Sequence, residues 1–64
     1  MQEFRFIGCG RKQDMKGEIV ANDIIQAGNI VKEKFKGIYD MHYNKSRLDA
    51  YYRNGRKAFV VFAE

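Results

Sequence analysis

The sequence contains no proline and only one cysteine, Cys9. A lone thiol cannot close an intramolecular disulfide, so stability has to come from apolar packing, a second copy of the chain or a partner. Small secreted domains usually carry several disulfides, and their absence here points to a reducing compartment. No apolar run approaches the ~18 residues of a membrane span, and the opening "MQEFRFIGCGRKQDMK" lacks the long apolar core of a signal peptide. A cytoplasmic protein without a membrane partner is therefore expected.

Repeats, low-complexity tracts and linker-like stretches are also missing, so nothing divides the 64 residues into parts. One domain is the limit, because chains below roughly 70–80 residues are near the smallest that a single core can hold. Such a fold buries only about 60% of its unfolded surface, which leaves little room for an enclosed active site. What the composition does supply is sufficient: 45% hydrophobic residues support a packed core and argue against disorder, although 31% of the chain is charged.

Patterning gives the elements. Phe4 and Phe6 alternate with Glu3 and Arg5, the period of a strand with one buried face. Gly8 and Gly10 loosen that strand, and Arg11, Lys12, Gln13 and Asp14 read as a loop. Ile19 and Ala21 alternate against Glu18 in a second strand, which forms a hairpin with the first. From Asp23 the period becomes helical, with Ile24, Ala27, Val31 and Phe35 on one side. Asp23 is placed to cap this helix with Gln26 reaching back to it, and Gly37 closes it. Gly28 inside the helix costs up to about 1 kcal/mol relative to alanine, which close approach of the helix to the sheet would explain.

Alternation returns after Gly37, with Tyr39, Met41 and Tyr43 against Asp40 and His42, giving a third strand. In "LDAYYRNGRKAFVVFAE" two apolar runs flank Asn54-Gly55, a pair suited to a two-residue type I′ hairpin turn. The expectation is strands four and five; the rival reading is a short helix from Ser46 to Asn54 stopped by Gly55. The expected fold is α+β in the order ββαβββ, an antiparallel sheet with one helix on one face. With the two-residue turn, Tyr52 lies opposite Lys57, Ala50 opposite Phe59 and Leu48 opposite Val61. A four-residue turn from Asn44 to Arg47 sets Tyr43 opposite Leu48 and Met41 opposite Ala50. Both alignments predict one apolar face: Tyr39, Met41, Tyr43, Leu48, Ala50, Tyr52, Phe59 and Val61.

No reaction motif accompanies this fold. Gly8-Cys9-Gly10 lacks the third glycine of a dinucleotide fingerprint and the ending of a phosphate loop, and reads as a bulged or flexible strand end. One cysteine and one histidine cannot make a tetrahedral metal site in one chain, so no metal or cofactor is expected. Nothing in the spacing makes Cys9 and His42 meet as nucleophile and base. Asp40 and Asp49 could be cross-strand neighbours, but beside Arg47 they read as surface charges. Lys32, Lys34 and Lys36 form a solvated helix face, because the apolar side of that helix is used on the sheet.

Charge is the remaining signal. Lys45, Arg47, Arg53, Arg56 and Lys57 face only Asp49 between residues 45 and 57, which accounts for the whole net charge of +4. Such a patch attracts nucleic acid or an acidic protein surface. The outer sheet face is expected to carry Asp40, His42, Arg47, Asp49, Tyr51, Arg53, Arg56, Ala58, Val60 and Phe62, basic at the turn end and bearing an aromatic ring. Faces of this kind bind single strands, a ring stacking on a base while arginines hold phosphates. A solvated outer face kept soluble by Arg/Asp pairs is the plainer reading.

The leading expectation is a non-catalytic basic binding module that contacts nucleic acid through Lys45, Arg47, Tyr51, Arg53, Arg56 and Lys57. The alternative is a protein-docking or inhibitor module. It would act through an exposed sheet edge or the Val60 and Phe62 patch, which a partner or a homodimer would cover. Read as a complete open reading frame with its initiating methionine, a chain this short fits the accessory proteins of phages and mobile elements, inhibitors of host or defence enzymes among them.

Overall fold

Alternating apolar residues shape the first hairpin. The computed structural model describes residues 1–44 and 46–63. In β1 (Gln2–Gly8), Phe4 and Phe6 turn inward, and β1 pairs antiparallel with β2 (Lys16–Ala21), which contributes Ile19 and Ala21 to the same side. The loop between them contains one 3₁₀ turn (Gly10–Lys12).

The helix α1 (Ile24–Lys32) begins where its sequence predicts. Asp23 Oδ1 accepts from Gln26 N–H at 2.8 Å, while Gln26 Oε1 accepts from Asn22 N–H at 2.6 Å, one residue earlier than a standard capping box. The helix ends three residues short of Phe35. Lys34 N–H and Phe35 N–H donate three residues back to Val31 and Lys32 carbonyls, which tightens the last turn. Phe35 still reaches the core, its ring 4.8 Å from that of Phe59 and edge-on to Phe6.

β3 (Ile38–Tyr43), β4 (Arg47–Tyr52) and β5 (Lys57–Ala63) complete one antiparallel sheet in the order β2-β1-β5-β4-β3. Residues 47–52 are therefore extended, not helical. Among the described residues there are five strands and one α-helix, in the order ββαβββ, and α1 packs on one face of the sheet. Ala27 and Val31 of α1 are fully buried with Phe4, Leu48, Ala50, Phe59 and Val61 of the sheet. Gly28 faces Leu48 so closely that a Cβ would lie 2.6 Å from Leu48 Cδ1, which explains a glycine inside the helix. No helix of the described residues is long and apolar enough to cross a membrane.

Several expected positions need correction. Asn54-Gly55 does not make a two-residue turn. Tyr52 N–H donates to Arg56 carbonyl at 2.8 Å and Gly55 N–H to Tyr52 carbonyl at 3.0 Å, enclosing three residues, and only Gly55 has positive φ, +89°. A type I′ turn needs positive φ at both central residues; a single left-handed glycine gives the three-residue form with a bulge. Lys57 consequently pairs with Tyr51, not Tyr52, and Ala58, expected outside, is fully buried.

Tyr39 does not face the core either. The register shifts between Ile38 and Asp40, so Ile38 turns onto the core opposite Tyr52 while Tyr39 is 66% exposed. Tyr43 keeps its expected partner, Leu48, yet is 60% exposed. It stands at the end of the edge strand β3.

Candidate functional site

The sheet face opposite α1 is open. Its rows follow from the strand register. One crosses from His42 through Asp49, Val60 and Ile7 to Lys16, and the next from Arg47 through Phe62 and Arg5 to Glu18. A third runs from Asp40 through Tyr51 to Lys57. Phe62 is on the central strand and has an arginine directly opposite it on each side. It is half-buried, as are Val60, Ile7 and Tyr51.

Charges on this face are interleaved. Asp49 Oδ1 accepts from Arg47 Nε at 3.0 Å and lies 3.4 Å from Lys57 Nζ. Arg5 meets Glu18 at 3.5 Å. His42 Nε2 lies 2.9 Å from Asp40 Oδ2, and its ring stands edge-on to Tyr51 at 5.7 Å. A shallow depression of about 350 Å³ beside Phe62's neighbour Arg5 is lined also by Ile7, Lys16 and Glu18.

The predicted site residues separate into groups. Arg47, Tyr51, Lys57, Val60 and Phe62 share the open face. Arg53 sits at the β4–β5 turn, its guanidinium 5.4 Å from the centre of the Tyr39 ring, a cation–π contact with the adjacent edge strand β3. Arg56, from the same turn, lines a separate cleft with the 3₁₀ turn. Lys45 lies outside the described residues.

Sequence reasoning missed Arg5 and Ile7 as members of the open face. Alternation with Phe4 and Phe6 puts both on the outer side of β1, but only the pairing of β1 with β5 brings them beside Phe62 and Val60. It also missed the approach of Arg11 and Lys12 to Arg56, since residues in two different turns carry no shared pattern. Cys9 follows β1 and His42 is on β3, and β5 and β4 lie between those two strands. Among the described residues no three His, Cys, Asp or Glu side chains converge as a metal site.

No protein-family model matches the chain, and no curated protein or solved structure matches it either.

Proposed function

We propose that this chain is a non-catalytic module that binds single-stranded nucleic acid across its open sheet face. The observation that carries the reading is the row Arg47, Phe62, Arg5 on three adjacent strands. A central ring can stack on a base while the flanking guanidinium groups reach phosphates on either side, and stacking alone is worth about 1–3 kcal/mol per base. Tyr51 and His42 extend the aromatic surface toward β3. Interleaved acids keep the face from acting as an indiscriminate polyanion trap.

Fluorescence anisotropy with a short labelled oligonucleotide tests this. Binding should weaken as salt rises, with a log–log slope near −0.7 for each phosphate contact. Phe62→Leu, which keeps apolar bulk, should weaken binding by about fivefold or more. Absence of salt-dependent binding would reject the reading.

A second reading rests on the free edge of β3, where Tyr39 and Tyr43 are both exposed. Edge strands accept an extended segment of a partner protein through their unpaired backbone groups, and exposed tyrosines supply anchor surface. Capture of a host protein that survives nuclease and is lost on Tyr39→Asp would favour this docking role.

A further inference from the structure

The 3₁₀ turn after β1 and the turn between β4 and β5 close on a cleft of about 270 Å³ at one end of the sheet. Arg11 and Lys12 line it from the first turn, Arg56 lines it from the second with Lys57 at the start of β5, and the half-buried Tyr52 forms one wall. No acidic side chain lines it. Among the described residues Arg11, Lys12 and Arg56 make no ion pair, in contrast to Arg5, Arg47 and Lys57 of the open face.

The backbone holds these two turns together. Cys9 N–H donates to Ala58 carbonyl at 2.9 Å, and Gly8 N–H to Met15 carbonyl at 2.7 Å. Gly8 has to be glycine, because any Cβ there would collide with the Lys12 carbonyl that folds back over it. The gathering of Arg11, Lys12 and Arg56 around one cleft thus rests on fixed backbone, and their mutual repulsion is relieved most by an anion between them. A phosphate monoester fits, since it carries −1.5 to about −2 charge near neutral pH and three acceptor oxygens.

We infer that this cleft binds a terminal phosphate group, either at the end of a nucleic acid chain or on a free nucleotide. The first source rests on the function proposed above. Lys57 belongs to both surfaces, and along β5 it is about 17 Å from Phe62, so a strand stacked on Phe62 can end in the cleft. The second source does not need the open face.

Amide NMR titration with adenosine 5′-monophosphate, with adenosine as control, reads the cleft alone. The nucleotide should shift Gly10, Arg11, Lys12, Asn54 and Arg56 amides while adenosine leaves them still, and Arg11→Ala with Arg56→Ala should weaken binding at least about tenfold. Both arginines are exposed, so the fold should be kept. Unmoved amides, equal shifts with adenosine, or undiminished binding by the double variant would overturn the inference, even if oligonucleotides bind the open face. If the amides do move, anisotropy with 5′-phosphorylated and 5′-hydroxyl oligonucleotides tells the sources apart. A preference for the phosphorylated end identifies a chain terminus. No preference, or no oligonucleotide binding at all, identifies a free nucleotide, and in the latter case removes the open-face reading while the cleft stands.

Discussion

Leu48 occupies the space that a side chain on residue 28 would need: both of its methyl carbons lie within 3.1 Å of that missing Cβ position. Leu48 is only 1% exposed, so it has nowhere to retreat. Gly28→Ala should therefore destabilise the protein by up to about 2 kcal/mol, the overpacking cost of about 1–3 kcal/mol exceeding the helix-propensity gain of about 1 kcal/mol. In a Leu48→Val background the same change should become nearly neutral, and urea denaturation of the four proteins measures the coupling.

Asp49 holds two cations of the open face at once, Arg47 and Lys57. Asp49→Asn should release both, strengthening oligonucleotide binding and making its salt slope steeper by up to about 1.4. The stability cost of losing these pairs, whose cations are 50% and 34% exposed, should stay within about 1 kcal/mol. Unchanged affinity at low salt would mean that phosphates do not reach this part of the sheet.

Gly55 has φ of +89°, and a Cβ there would meet nothing within 4 Å, so backbone strain alone decides its replacement. Gly55→Ala should cost about 1–2 kcal/mol and lower Tm by roughly 4–16 °C. Gly55→Asn should lose less, because asparagine tolerates left-handed backbone better. Thermal unfolding followed by circular dichroism separates the two.

Phe35 packs on Phe59 and Phe6 from just beyond the helix end. Phe35→Ala removes about 3–5 kcal/mol, as much as a core of this size rarely exceeds. The variant should be largely unfolded at ambient temperature, visible as collapse of amide chemical-shift dispersion.

Much of this architecture was readable from local pattern. Phe4 and Phe6, Ala27 and Val31, and the pairing of Tyr43 with Leu48 follow from period and turn length, because each depends on neighbours in sequence; Leu48 meets Val61 as expected only because the bulge at Ala58 offsets the longer turn. The misplaced residues lie at irregularities. Tyr39 and Lys57 sit beside bulges, and a single extra residue reverses a side chain without altering composition. The open face was half visible: Phe62, Val60 and Arg47 came from the β4–β5 hairpin, whereas Arg5 and Ile7 needed the long-range joining of β1 to β5. The cleft was not visible, since Arg11, Lys12 and Arg56 meet only in three dimensions.

That joining has a kinetic corollary. The middle of the sheet is where the opening strand meets the closing one, so two hairpins far apart along the chain stay separate ribbons until β5 locks between β1 and β4. Closing a loop of some fifty residues must precede most of the stabilising burial, which favours slow, all-or-none folding for so short a polypeptide. Until β5 docks, Phe4 and Phe6 of β1 lack the packing that Phe59 and Val61 supply, a window in which aggregation or chaperone capture competes with folding.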